Sequence, residues 1–223
     1  MIAGLIRRLT GRDYVIASGD IGYLLSKGAI PFLRGALWSM GRLRAPRSLL
    51  LGPHIQFIQP ARLFNGQGVS IGGFSYIDCS ADGGIVLGSG VTIRERAWIQ
   101  GRSGLNARAA RLKVGDRSYI GPNAVIGLGG PVTIGEGVQI GAGLTITAEA
   151  HEGDADGSFV TGHVSRTGVT IGDNCWLGNN VSLLDGVELG EGCIIGAGAV
   201  VTRSVQSYSV AAGVPARIIR KIR

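Results

Sequence analysis

The stretch VTIGDNCWLGNNVSLLDGVELGEGCIIGAGAVVTRSV, residues 169–205, carries Ile171, Leu177, Leu183, Leu189, Ile195 and Val201 at consecutive spacings of six. A helix would repeat its apolar positions every three or four residues and a simple strand every second one, so neither accounts for this spacing. A short flat strand followed by a tight turn does. Three such units close a triangular coil in which one aliphatic per unit points inward, while glycine, Asn and Asp permit the corners. The same spacing recurs upstream at Leu51, Phe57 and Leu63, at Ile71 and Ile77, at Leu87, Ile93 and Ile99, at Val114, Ile120 and Ile126, and at Ile134, Ile140 and Ile146. These triplets predict six or seven stacked coils, each burying its neighbour. They also account for 39 glycines in 223 residues, which do not follow the every-third pattern of a collagen.

The breaks in the spacing predict extruded loops. The steps are 10 residues from Ile77 to Leu87, 15 from Ile99 to Val114, 8 from Ile126 to Ile134 and 25 from Ile146 to Ile171. The last exceeds the regular step by 19 residues and contains His151 and His163, two of only three histidines. That loop is the main functional clue. Asp156 lies in it with several other carboxylates. His54 precedes the first clear coils and reads as structural.

The net charge is +7, and residues 1–50 hold +6 of it through Arg7, Arg8, Arg12, Lys27, Arg34, Arg42, Arg44 and Arg47 against Asp13 and Asp20. A basic leader on a nearly neutral body points to a local anionic surface, such as a membrane leaflet, and away from nucleic acid. Ile2, Leu5, Ile6 and Leu9 repeat at helical spacing beside Arg7 and Arg8, and Leu33, Ala36, Leu37 and Met40 do so again, joined by Phe32 and Trp38. Asp20 is placed to cap a helix, and Pro31 is expected to separate two short ones. The leader reads as a helical cap over one prism end, as a membrane contact, or as both. No apolar run reaches the roughly 18–20 residues needed to cross a bilayer. Cys79, Cys175 and Cys193 are odd in number and lack metal or redox spacing, as in a reduced compartment. The expected organisation is a basic helical extension over 1–48, a β-helix over 49–205 with a loop at 147–168, and a C-terminal segment and basic tail over 206–223.

The segments Val132 to His151 (VTIGEGVQIGAGLTITAEAH), Val169 to Val205, and Val210 to Ile222 (VAAGVPARIIRKI) closely resemble the hexapeptide-repeat acyltransferases of left-handed parallel β-helix fold. Among them the chain is most similar to the maltose and galactoside O-acetyltransferase group and its relatives in surface-polysaccharide clusters. The resemblance covers about residues 65–223. It rests on the order of histidine loop, Trp176-Leu177-Gly178, IGAG followed by VVT, and GVPAR. It implies a mainly β chain of left-handed coils, acetyl-CoA as co-substrate, a sugar or glycan acceptor, no metal, and a homotrimer with sites in clefts between prisms. A cytoplasmic enzyme is expected, with peripheral contact at the inner face of the membrane through residues 1–45.

The same resemblance assigns roles. His151 is the expected general base, for which a neutral imidazole is suited near cellular pH. Asn123 is the candidate for the acceptor site or the oxyanion, although Asn also favours a coil corner. Trp176, Gly178, Asn179, Ala197, Gly198, Thr202, Arg203, Arg217 and Arg220 match positions that contact coenzyme A, and Glu149, Glu152, Asp154 and His163 are acceptor candidates. The glycines and Asn179 also read as ordinary corner residues, and Trp176 as a cover for a neighbouring rung. An amine acceptor, as in amino-sugar, nucleotide-sugar or antibiotic N-acetyltransferases, would use the same base. A non-catalytic membrane scaffold is the remaining alternative. Zinc hydration on this kind of prism needs three histidine ligands, and here only His151 and His163 share a loop.

Overall fold

The computed structural model describes residues 18–42, 48–102, 110–159 and 162–222. The pattern Ile2, Leu5, Ile6 and Leu9 with Arg7 and Arg8 lies outside them. Short parallel strands form three faces of a left-handed prism. The second face has seven strands, one per coil, which is the upper of the expected counts among the described residues.

The aliphatics spaced by six stack directly on one another. On the first face Leu51, Ile71, Ile93, Ile120, Ile140, Leu177 and Ile195 pair in succession. On the second, Phe57, Ile77, Ile99, Ile126, Ile146, Leu183 and Val201 do so. On the third, Leu87, Val114, Ile134, Ile171 and Leu189 form the stack, and Val205 extends it as an isolated bridge. A second inward column, Leu63, Ile85, Leu112, Val132 and Val169, runs beside this one. Strand Ile85–Leu87 therefore begins two residues before Leu87, and the excursion after Ile77 is shorter than the spacing suggested. Nearly all of these side chains are fully buried, so the core is one continuous column.

The corner between the first and second faces is a column of left-handed backbone. His54, Phe74, Arg96, Asn123, Gly143, Asn180 and Gly198 all have positive φ there, from 52° to 74°. Glycine or Asn adopts this conformation most readily, hence the composition. His54 belongs to the first coil itself, with its ring 5.1 Å from that of Phe74. The C-terminal segment is more ordered than a tail. Ser209–Gly213 joins the first face, and Ala216–Lys221 folds back antiparallel on it after a cis peptide bond at Val214–Pro215.

Two expectations about the leader are corrected. Pro31 does not separate two helices. Ile21–Leu24 continues through a π-helical segment, Leu25–Ala29, into Ile30–Met40, with Pro31 in the first turn of that last segment. The wider turn ahead of Pro31 accommodates a ring that would collide with the preceding carbonyls of a regular helix. Nor does the large apolar stripe face the prism. Pro31, Gly35 and Ser39 are the buried residues, whereas Leu33, Leu37 and Met40 are exposed. The cause is close approach: a methyl group at Gly35 would collide with the carbonyl of Leu49 in the first coil. Ser39 Oγ meanwhile satisfies itself on Gly35 O at 2.9 Å. Trp38, from the side of the helix, packs against Phe57 with ring centroids 5.1 Å apart and planes tilted by 45°, and covers the first coil. Capping of the prism end thus falls to small residues and one tryptophan.

An ionic tie adds to this docking. Lys27 Nζ lies 3.1 Å from Glu95, whose other oxygen accepts from Arg94 Nε at 2.8 Å. The hydrogen bond from Arg94, aided by Lys27 and opposed by burial, holds the Glu95 carboxyl down at about 2 from an ordinary 4.5.

Two outcomes are expected. Ile126→Ala, in mid-column, will lower unfolding free energy by about 2–5 kcal/mol in denaturant melts. The depressed Glu95 carboxyl contributes stability that is fully present above pH 4.5 and is lost as pH falls toward about 2. The difference between wild type and Glu95→Gln in thermal melts should therefore shrink over that interval and be constant above it.

Candidate active site

Strand Thr145–Thr147 ends on the second face, and the chain then leaves the prism at the corner leading to the third. It forms an antiparallel hairpin in which Ala150 pairs with Ser165 and His151 with Val164. Glu152 N donates to His163 O at 2.8 Å, which prolongs the ladder. The turn beyond is shaped by Asp154, whose Oδ1 accepts from Asp156 N at 3.0 Å and Ser158 N at 2.9 Å. His151 is exposed, and among the described residues neither its imidazole nor that of His163 has a hydrogen-bond partner. His151 and His163 stand one position out of register, so alternation directs them to opposite faces of the hairpin. His163 thus does not converge with His151.

The hairpin base is braced twice. Glu149 Oε2 lies 3.5 Å from Arg166 Nε, joining the outgoing and returning legs. Asp185, at the next coil's corner, accepts from Ser165 Oγ at 2.8 Å, Thr167 N at 3.1 Å and Gly168 N at 2.7 Å. Neither Arg166 nor Asp185 was reached from the sequence. The available signal was an Asp before a corner glycine, in LLDG, facing the longest break in the repeat. Of the acceptor candidates, Glu149 lies at the hairpin base beside Arg166 and Asp154 in the turn, where its Oδ1 accepts two backbone amides.

The remaining candidates fall into separate groups. Asn123 has φ +60° and belongs to the corner column between the first and second faces. Gly178, Asn179, Ala197 and Gly198 lie at that same corner in later coils, where Ala197 and Gly198 are exposed. Asn179 Oδ1 accepts from Ala142 N at 2.9 Å, as Asp173 Oδ1 does from Glu136 N at 2.8 Å, so part of its side chain serves coil stacking. Thr202 and Arg203, both exposed, follow the last strand of the second face. Arg217 and Arg220 are exposed on the C-terminal strand. Trp176 points outward from the first face at 53% exposure, between Gln139 and Ile194 of the adjoining coils. Asn123 and His151 therefore occupy different edges of one prism, with the second face between them.

All three cysteines are free and buried. Burial pushes the thiols of Cys79 and Cys175 up to about 12. Among the described residues no three His, Cys, Asp or Glu side chains are grouped to hold a metal ion. No helix among them is long and apolar enough to cross a membrane.

Residues 168–203 match the bacterial transferase hexapeptide (six repeats) family, and residues 111–148 match the hexapeptide repeat of succinyl-transferase. Over 54 residues the chain is 41% identical to YJL218W of Saccharomyces cerevisiae, named as an unverified acetyltransferase. That alignment spans 24% of this chain and 28% of the length of the curated relative. Among solved structures, AntD, an N-acyltransferase from Bacillus cereus, was determined as a serine-to-alanine mutant with dTDP-4-amino-4,6-dideoxyglucose and coenzyme A. It is similar with a TM-score of 0.53 at 16% identity, over 78% of this chain and 81% of that one. The hexapeptide-repeat acetyltransferase VCA0836 of Vibrio cholerae O1 biovar eltor, complexed with acetyl-CoA, gives 0.49 at 21% identity over 98% of both chains. At 16% identity the likeness to AntD concerns the fold alone.

The braces make the hairpin's order testable. Asp185→Ala leaves the amides of Thr167 and Gly168 without their acceptor, a cost of about 1–3 kcal/mol confined to the returning leg. Hydrogen exchange at residues 163–168 should accelerate about tenfold or more, while exchange of the rung amides is unchanged.

Proposed function

We propose, on the match of residues 111–148 and 168–203 to hexapeptide-repeat transferase models, that the chain is an acetyl-CoA-dependent O-acetyltransferase with His151 as general base. The acceptor is a sugar hydroxyl of a surface polysaccharide, a glycan precursor or a related small molecule. The observation that carries this reading is the hairpin. It presents the exposed imidazole of His151 on one face and that of His163, also exposed, on the other, above a base fastened by the Glu149–Arg166 pair and, on the returning leg, by Asp185.

In the proposed step, an unprotonated nitrogen of His151 takes the acceptor hydroxyl proton as the oxygen attacks the thioester carbonyl carbon. A backbone N–H or the Asn123 amide faces the developing oxyanion. The carbon–sulfur bond then breaks, and the proton held on His151 passes to the departing thiolate. Extended pantetheine fits the corner column at Ala197 and Gly198, which are exposed and small, whereas Gly178 is buried beneath the next coil. Arg203, with Arg217 and Arg220, supplies guanidinium groups for the nucleotide phosphates. Since Asn123 and the small-residue column stand at one edge of the prism and His151 at another, a complete site calls for the hairpin of one prism beside the column of its neighbour. This supports the homotrimer. The acceptor precursor is lipid-linked in this reading, so the enzyme works in the cytoplasm at the membrane's inner face, with residues 1–45 in peripheral contact.

The test is coenzyme A release followed with a thiol reagent over a panel of hydroxyl and amino sugars, for which the buried cysteines give little background. His151→Ala should lower kcat about 10²–10⁴-fold at unchanged melting temperature. Equal turnover by the variant would remove His151 as base, and no turnover with any acceptor and no acetyl-CoA binding would favour a scaffold.

A further inference from the structure

The outward face of the helix Ile30–Met40 has no partner among the described residues. At about 100° per residue, Ile30, Leu33, Leu37 and Met40 lie within roughly 40° of the direction opposite Gly35, which is against the prism. They are 44%, 59%, 68% and 63% exposed. Along one flank of this stripe, between the helix and the first coil, runs an open cleft of about 390 Å³ lined by Arg34, Trp38, Arg42, His54 and Phe57. Among the described residues no carboxylate lines it. Arg34 is exposed and makes no hydrogen bond or ion pair among the described residues. Arg42 is held over the Trp38 ring, 4.2 Å from its centroid.

We propose that this end of the prism is a docking surface for an anionic phospholipid bilayer, with the four aliphatics entering the headgroup and acyl boundary and a lipid phosphate seated in the cleft. The argument is charge complementarity beside an apolar stripe. Guanidinium forks match phosphate oxygens, and a half-buried tryptophan suits the membrane interface. A second copy seated on the stripe would bring two leaders of net +6 together, an arrangement that repels at close range. Docking through Pro31, Gly35 and Ser39 leaves the large residues of the helix for another medium. The inference deepens the membrane part of the proposed function and is independent of acetyl transfer.

Flotation of the full chain with vesicles tests it. Binding to phosphatidylcholine containing roughly a quarter phosphatidylglycerol should exceed binding to pure phosphatidylcholine at least tenfold and weaken with added salt. Leu33→Glu with Leu37→Glu should reduce partition at least tenfold, and Arg34→Glu about tenfold, with the melting temperature and vesicle-free turnover of wild type. Equal partition of wild type and variants, or equal binding to both vesicles, would overturn the proposal. So would a loss of oligomer mass in the double variant without any vesicle binding by wild type, which would assign the stripe to a second copy. Saturation of the cleft by inorganic phosphate, read from tryptophan fluorescence, in a protein that ignores vesicles would assign it to a free anion. Failure of wild type to turn over acetyl-CoA leaves flotation unaffected and bears on the catalytic reading alone.

Discussion

Everything in this structure depends on keeping one aliphatic column in register through seven coils. Backbone hydrogen bonds run from each coil to the next, as from Gly72 N to Ile93 O, Gly121 N to Ile140 O and Gly178 N to Ile195 O. A slip of one residue in any strand would turn its rung outward and bring a polar neighbour in. The six-residue step prevents this because strand and corner together return the chain to the same phase. Glycine beside the rung is part of that constraint: at Gly121 or Gly178 a Cβ would strike the backbone of the next coil.

Such a column tolerates additions only where the chain turns. The hairpin bearing His151 leaves at a corner and returns so that Ile134 and Ile171 still pair, despite the residues placed between Ile146 and Ile171. An insertion of this size loses order unless it is fastened, and the Glu149–Arg166 pair and Asp185 fasten it at its base. The backbone beneath an exposed imidazole is thereby held in place, which a free loop could not provide.

The helical leader obeys a different rule. It is attached by closeness, through Gly35 against Leu49, and by the Lys27–Glu95–Arg94 cluster, with Trp38 packed against Phe57. Close approach consumes the small face and releases the large one to the outside. A hydrophobic pattern by itself says which residues share a face, not which face meets the protein.

The amino-acid sequence by itself determined the prism, its rungs and the break that carries the histidine loop, because a strict period of six allows a single way of burying the aliphatics; that the loop is an antiparallel hairpin came from the structure. It also carried the charge asymmetry of the first fifty residues. Only the tertiary structure decided how the exceptions to the period behave. Pro31 sits inside a helix since a π turn makes room for it, His163 turns away from His151 through strand alternation, Glu149 is taken by Arg166, and Asp185 reaches across a corner. Each depends on partners distant in the chain, and local spacing holds no record of contacts made when coils stack.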